Sequence, residues 1–591
     1  MTRWESGARE VLASTFYVQN WMLATRAVDY SALDDAASPV QHFWSLSVEE
    51  QFYLCWPPLI LLLVAVARRA RRADPSALVL PGILVVTLTS FAYSVYATAH
   101  TPAAAYFVTP TRVWELGAGA LLALWTRNRV RPPSRHAPVR TTHLVLLRWS
   151  GVVAVLAGAV LLSSASPFPG WLALLPVLGT VAVIAAGATG PGDPLGRLFD
   201  ARPTQFVGLV SYSLYLWHWP VLVIAPFVIG HPLRTMDKVL LIVGCTVLAW
   251  LTKLFVEDSA QRWRQLSTRP LATAVIAVVA MLAVAGLAGQ QLREVAHRED
   301  EARTILAGAA SQPCFGAPAM LPGSGCADVF GPAASVAQTP EDEPWRPDPA
   351  CQPSGGAPAT VTCRFGDAPP TRRVVLIGDS HADHWRAALH RVAAVQGWEL
   401  VEVLHGGCPA VAAQVLTFNG DPIDTAECHA WGEQVEQLLA SDPPDYVFTS
   451  SFASAYTFAP DGQDAFETAT QAYADRWTAW ADTGAEVFVL QDIPTTDHRQ
   501  VPECVAQNRA DPLACALPRD RAFPPDPARA AASRVDSPGV RQLDFSNLFC
   551  DDAHCYAVIG GALVYWDNNH MSAQFSRTLA PQLLDRVLAV D

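Results

Sequence analysis

Charged residues are scarce in this chain: Asp, Glu, Lys and Arg make up 16% of its 591 residues, with a net balance of −13. No basic stripe is present to neutralise phosphates, which excludes nucleic acid as a partner. The cysteines lack a Cys-x2-Cys pair and an accompanying His cluster, so a structural zinc site is the weaker reading of them and no metal is expected. No positively charged, apolar leader opens the sequence, so no signal peptide is legible there. Hydrophobic residues are abundant, at 51%, but unevenly placed, with nearly all long apolar runs before residue 291. Beyond it, Pro, Asp, Ala and Gly dominate in ordinary soluble-protein patterning. At this length two or more domains are expected.

Eight apolar stretches approach the roughly 20 helical residues that cross a hydrocarbon core. They cover 52–67, 78–97, 105–126, 144–164, 170–188, 205–227, 237–256 and 271–290. Basic residues cluster after every second one: Arg68, Arg69, Arg71 and Arg72; Arg127, Arg129, Arg131, Arg135 and Arg140; Arg197 and Arg202; Arg262, Arg264 and Arg269. Arg234 and Lys238 dilute the alternation. The positive-inside rule puts these four loops in the cytoplasm and everything after residue 290 outside. It puts residues 1–50 outside too, which is hard to achieve without an export signal, so an odd number of upstream helices is expected to be missing.

Cysteine supplies a second argument for the outside. Cys55 and Cys245 lie in apolar runs and read as small buried hydrophobes. The other ten follow residue 310 in close sequence pairs: Cys314 with Cys326, Cys351 with Cys363, Cys408 with Cys428, Cys504 with Cys515, and Cys550 with Cys555. Such local pairs in a soluble region imply a disulfide framework and an oxidising compartment.

Several polar groups sit at span ends. Glu49 and Glu50 in His42-Phe43-Trp44-Ser45-Leu46-Ser47-Val48-Glu49-Glu50-Gln51-Phe52-Tyr53 stand at the mouth of the first span, facing either a cavity or the headgroup zone. Arg112 and Glu115 are three apart on one helical face, as a structural ion pair or part of a polar cavity. His218 lies inside the aromatic Ser211-Tyr212-Ser213-Leu214-Tyr215-Leu216-Trp217-His218-Trp219-Pro220, as a packing residue or part of an acyl-chain slot. These segments, with Tyr17-Val18-Gln19-Asn20-Trp21 and Phe255-Val256-Glu257-Asp258, resemble the membrane-bound acyltransferase family 3. The last motif has Ser259 where that family usually has proline. The resemblance implies movement of an acyl group, commonly acetyl, from a cytoplasmic thioester donor (acyl-CoA, expected to be acetyl-CoA) to a hydroxyl of a cell-envelope glycan or glycolipid. The family's early catalytic histidine and arginine motif are not found before Tyr17, in line with the missing helices. Either the start codon is placed too far downstream or the membrane half is an inactive remnant.

After residue 370 the pattern changes to alternating strands and helices. Val374–Ile377, Leu400–Leu404, Tyr446–Thr449 and Val487–Leu490 read as buried parallel strands, with helices near 381–396, 427–440, 464–483 and 573–589. This predicts an α/β sheet covered on both faces. The first strand runs into Gly378-Asp379-Ser380-His381, which places Ser380 where doubly wound sheets bind ligands and at a helix N-terminus. A Gly-Asp-Ser triplet also makes an ordinary cap. Trp566-Asp567-Asn568-Asn569-His570-Met571-Ser572 adds an Asp and a His three apart, suited to an orienting carboxylate and a general base. Together these resemble the SGNH (GDSL-like) hydrolase superfamily, in the form fused to acyltransferase family 3. The resemblance implies a flavodoxin-like three-layer fold with Ser380 as nucleophile, His570 as base and Asp567 as its partner. In His405-Gly406-Gly407-Cys408-Pro409, Gly407, with Gly406 next, matches the oxyanion glycine. The family's Gly-x-Asn-Asp block is absent; Thr449-Ser450-Ser451-Phe452 stands there, leaving Ser450 or Ser451 as side-chain donor. His381 and His384 are expected to stabilise the loop.

The expected organisation is therefore a multi-pass α-helical acyltransferase-like membrane domain over 1–290, a disulfide-stapled linker over 291–370, and an extracytoplasmic α/β domain over 371–591, in a bacterial cell membrane. The expected activity is O-acyl transfer through an acyl-Ser380 ester. A membrane-tethered esterase and a non-catalytic glycan-binding module are the alternatives. The partners are the glycan or glycolipid acceptor, the acyl-CoA donor and the lipid bilayer, with no bound cofactor.

Overall fold

The computed structural model describes residues 4–26, 37–70, 77–127, 141–163, 166–187, 194–229, 231, 233–263, 268–346, 348–354, 360–366, 369–423, 425–459, 464–497 and 499–589. Of the basic clusters, Arg71, Arg72, Arg129, Arg131, Arg135, Arg140 and Arg264 lie outside the described residues. The chain divides into two compact units after Glu294.

In the first unit each expected apolar stretch lies on a helix. Six are long and apolar enough to cross a membrane: Phe43–Arg69, Val79–His100, His143–Leu161, Arg202–Ile229, Thr235–Arg262 and Pro270–Ala310. Val113–Thr126 and Leu174–Ala186 are shorter apolar helices. The stretch expected from 105 becomes helical only at Val113, because Pro102 and Pro110, which lack an N–H, each open a separate short turn. The opposite happens at the first span, whose helix begins at Phe43. Glu49 and Glu50 are therefore nearly two turns inside it and exposed, instead of at its mouth. The outer surface is apolar, with Val160 81% and Val228 79% exposed, as a hydrocarbon solvent requires. Cys245 is buried as expected, whereas Cys55 is exposed on its helix.

The second unit is built on a seven-stranded sheet. We label its strands β1 (Cys351–Ser354), β2 (Thr360–Arg364), β3 (Arg373–Gly378), β4 (Glu399–Leu404), β5 (Tyr446–Ser450), β6 (Glu486–Leu490) and β7 (Val540–Leu543). Their spatial order is β1-β2-β4-β3-β5-β6-β7. The five strands β3 to β7 run parallel. Their order, second-first-third-fourth-fifth, is that of the flavodoxin-like sheet. The antiparallel pair β1–β2 extends one edge. Val374, Val375, Leu376 and Ile377 of β3 are all fully buried. Val374 and Leu376 join one hydrophobic core, and Val375 and Ile377 join another. A strand whose alternate side chains enter two cores has both faces covered, which is why its sequence is a continuous apolar run.

The helices α1 (Arg386–Gln396), α2 (Thr425–Ser441), α3 (Ala465–Ala481) and α4 (Ala573–Leu588) pack on the sheet, close to the ranges expected. The stretch expected as a linker contributes Leu306, Phe315, Ala317 and Ala319 to the first of the two cores.

All five expected disulfides form. Cys314 bonds Cys326, Cys351 bonds Cys363, Cys408 bonds Cys428, Cys504 bonds Cys515, and Cys550 bonds Cys555. Two of them coincide with backbone pairing: Cys351 and Cys363 face each other across β1 and β2, and Cys550 and Cys555 across an isolated bridge. Cys515 and Cys555 are buried at the edge of the first core, and the half-buried Cys326 packs against it. These staples therefore fasten loops to the core that the sheet itself does not hold.

Candidate active site

Ser380 follows β3 and opens a single helical turn, Ser380–Asp383. Gly378 makes this possible: its φ is +150°, and a Cβ there would lie 2.3 Å from the Ser450 carbonyl oxygen. Asp379 caps the turn by accepting the His381 backbone N–H at 2.8 Å. Its other oxygen accepts from Ser451 Oγ (2.8 Å), Phe452 N (3.0 Å) and Tyr456 OH (2.8 Å). Four donors satisfy this fully buried carboxyl group and lash the Ser380 turn to the loop after β5. Sequence reasoning saw the cap but not the lashing, because the donors lie over 70 residues away.

His570 and Asp567 sit on the loop before α4. Asp567 Oδ2 lies 2.6 Å from His570 Nδ1, while Oδ1 accepts the backbone N–H of Asn569 (2.9 Å) and His570 (2.7 Å). Burial alone would raise the Asp567 carboxyl, but the His570 ring and these hydrogen bonds hold it below the usual carboxylate range. The carboxylate thus stays ionised and fixes the Nδ1–H tautomer of His570, directing Nε2 elsewhere. The His570 ring lies 5.2 Å, centroid to centroid, from that of His381, the residue after Ser380. The loop is thereby brought to the Ser380 turn.

The two expected oxyanion segments flank that turn. Gly378 registers with Leu404 of β4 on one side and Ser450 of β5 on the other. His405-Gly406-Gly407 therefore leaves the sheet beside the Ser380 turn, with Gly407 at φ +74° and the next residue held by the Cys408–Cys428 disulfide. Ser451 is committed to Asp379 and Tyr473. Ser450 Oγ is buried with no hydrogen-bond partner among the described residues, which leaves it the available hydroxyl of the two.

A second His–carboxylate pair adjoins the first. His381 Nδ1 lies 2.6 Å from Asp492 Oδ1, just beyond β6, and its ring stacks on Phe452 at 4.1 Å. Burial pushes the Asp492 carboxyl up to about 8 and, with the nearby His570, pushes His381 down to about 3. His384 accepts the Met571 N–H and is held neutral by the same burial. Both histidines thus brace the loop that carries Asp567 and His570. His381, His384 and Asp492 form one of two groups among the described residues whose ligand atoms are close enough to hold a metal. The other, Cys351, Cys363 and His390, has its sulfurs joined in a disulfide.

The membrane candidates separate into clusters. Arg112 pairs with Glu115 at 3.0 Å, donates to the Tyr106 carbonyl, and lies over the rings of Trp44, Tyr106 and Phe168. His218 Nδ1 lies 2.6 Å from the Tyr215 carbonyl oxygen, and its ring is 5.8 Å from that of His42. Sequence reasoning missed His42, which is 6% exposed with neither ring nitrogen bonded among the described residues. Its place at the start of an apolar helix was the available signal. Glu49 and Glu50 have no ion-pair partner among the described residues. The other motif residues do meet: Gln51 donates to Asn20 (2.9 Å) and to the Tyr17 carbonyl (2.7 Å), Asn20 donates to Thr109 (3.0 Å), and Ser213 bonds Glu257.

Comparison with known proteins follows the same division. Residues 11–289 match the family described as "Acyltransferase domain", and residues 350–585 match "SGNH domain (fused to AT3 domains)". Among curated proteins, the chain is 27% identical over 262 residues to the "Peptidoglycan O-acetyltransferase OatA" of Listeria monocytogenes, covering 43% of this chain and 40% of that protein. It is 31% identical over 266 residues to the "Putative peptidoglycan O-acetyltransferase YrhL" of Bacillus subtilis, covering 44% and 41%. The matches thus span about two fifths of the length of these relatives. Among solved structures, the periplasmic domain of a Salmonella ser. Paratyphi A lipopolysaccharide acetyltransferase aligns with 36% of this chain and 83% of that one, at 11% identity and a TM-score of 0.29.

Proposed function

We propose that this chain, a membrane protein joining an acyltransferase-family part to an SGNH domain, places an acyl group, acetyl in the first instance, on a hydroxyl of a cell-envelope glycan. The observation that carries the reading is the Ser380 turn at the end of β3 with the His570–Asp567 dyad beside it, the His570 ring lying 5.2 Å from that of His381. The relatives' names make peptidoglycan the leading acceptor and acetyl the leading group. Five disulfides support an oxidising, extracytoplasmic site for the SGNH domain of a bacterial cell membrane protein.

In this mechanism Ser380 Oγ attacks the acyl carbonyl while its proton passes to His570 Nε2. Asp567 stabilises the resulting imidazolium. The Ser380 N–H at the start of its turn, the Gly407 N–H and Ser450 Oγ are the donors assigned to the tetrahedral oxyanion. The carbon–leaving-group bond then breaks and His570 returns the proton to the departing group. In the second half a glycan hydroxyl gives its proton to His570 and attacks the acyl-ester carbon; the bond to Ser380 Oγ breaks and Oγ recovers the proton. The acyl group starts as a cytoplasmic acyl-CoA thioester, and the membrane unit brings it to the outer face.

The test is Ser380→Ala in the full-length protein with envelope O-acetylation as readout. Loss of the modification is expected, and unchanged modification would remove Ser380 from the pathway.

A further inference from the structure

The match to the SGNH family begins at residue 350, yet one wall of the site comes from before it. Segment 338–345 is fastened to the loop that carries His570 and to α4, which follows it. Gln338 Nε2 donates to the Trp566 carbonyl at 2.5 Å, and Arg577 Nη2 donates to the Glu341 carbonyl at 2.8 Å. Thr339 and Asp342 close a capping box between these anchors. The segment ends on Trp345, whose ring meets that of His570 edge-on, with centroids 5.1 Å apart and planes at 89°.

Trp345 is held at both ends. Its carbonyl accepts from Arg386 Nη1 at 2.6 Å, and its indole N–H donates to Glu343 Oε1 at 2.6 Å. Arg386 is itself buried between Asp383 and Glu402, with Glu402 also bonded to His390 behind the Cys351–Cys363 disulfide. A buried ion network that ends on one backbone carbonyl fixes where that ring stands. Despite this bracing, the indole is only half-buried.

We propose that Trp345 is the floor of an acceptor subsite, on which a pyranose ring of the glycan lies while one of its hydroxyls reaches His570. A rigid indole costs little entropy to use as a contact surface, and its apolar face suits the C–H face of a sugar ring. The Glu343 carboxylate that holds the indole N–H has further acceptor capacity for the ring's hydroxyls. Water gains nothing from that apolar face, so the subsite favours transfer over hydrolysis. The inference rests on the function proposed above.

The experiment uses the full chain in detergent, 4-nitrophenyl acetate as acyl donor, and a β-1,4-linked N-acetylglucosamine oligosaccharide as acceptor. Trp345→Ala is expected to lower the ratio of transfer to hydrolysis about ten-fold or more, chiefly through the acceptor KM, and Trp345→Phe is expected to restore most of it. If transfer and hydrolysis fall by one common factor, Trp345 only props His570 and the subsite is overturned. A wild-type chain that hydrolyses the ester at Ser380 but never acylates the sugar overturns it as well. Activity that survives in Ser380→Ala defeats the parent reading instead. Fluorophosphonate labelling of Ser380 reports folding, and Trp345→Phe with Trp345→Tyr carry the test should the alanine variant not be labelled.

Discussion

The two units solve opposite problems with polar groups. In the membrane unit the exterior is apolar, and several polar residues inside it are tied to a polar neighbour: Arg112 to Glu115, Gln51 to Asn20, Ser213 to Glu257. In the SGNH unit the strands are apolar, and the polar groups gather in loops at their C-terminal ends, where Asp379, Asp492 and Asp567 are each bonded to a different partner set. Each unit is therefore vulnerable in a different way. Breaking a pair in the first strands a charge in the bilayer interior, whereas breaking one in the second misaims a reacting group in a unit that stays folded.

The largest expected effect follows from that contrast. Asp567→Asn keeps the size of the side chain but loses the charge that sets the His570 tautomer. Acylation of Ser380 by a small ester should fall by about 10³–10⁴-fold, the scale seen when a triad carboxylate is neutralised. Stopped-flow release of nitrophenol checks it, and thermal unfolding should barely move. A variant that unfolds would blur the comparison, making Asp567 a structural anchor.

In the membrane unit the corresponding change acts on stability. Arg112→Ala removes the guanidinium from Glu115 and from three aromatic rings, which should cost about 3–5 kcal/mol, as for other broken buried pairs. Glu49→Gln, at an exposed position, should stay within about 0.5 kcal/mol. Thermal stability in detergent separates the two; equal effects would mean that Glu49 has a partner the helix surface does not reveal.

Next in size is the loop that carries Gly407. Replacing Cys408 and Cys428 by Ser opens a loop of 20 residues, expected to cost about 2–4 kcal/mol. Because the loop leaves the sheet beside Gly378, Ser380 reactivity should fall along with stability. A loss of stability with full reactivity would detach Gly407 from the oxyanion role.

How much of this was legible differs between the units. Hydropathy located every apolar helix, because the bilayer tests composition over a full span and tolerates errors of a few residues. It misplaced the start of the helix at Phe43, since Trp44 to Gln51 are polar enough to read as flanking sequence. In the SGNH unit the Asp567–His570 pair and the disulfides were readable because each is local: Asp567 and His570 are three apart, and Cys326, Cys515 and Cys555 each bond the cysteine just before them in the chain. Asp379's lashing, the His381–Asp492 pair and Trp345 were not. Each joins residues far apart in sequence through loops whose course only the folded sheet decides.

The smallest effect concerns that second pair. Asp492 is pushed up to about 8 by burial, so it favours the protonated form in the folded state. Its contribution to stability is then full below the ordinary carboxylate range and is lost as pH rises towards 8. His381, pushed down to about 3 from 6.5, carries the opposite sign: its contribution is full above 6.5 and is lost as pH falls towards 3. The two slopes oppose each other below pH 6.5, so the erosion should show between about pH 6.5 and 8, at no more than about 1.4 kcal/mol per pH unit for one proton. Asp492→Asn cannot titrate, and its unfolding midpoint should be flatter than wild type across that window. Identical profiles would mean that the pair shares its proton as an ion pair, with His381 charged beside the nucleophile. That outcome would turn the bracing histidine into a fixed positive charge on the residue next to Ser380.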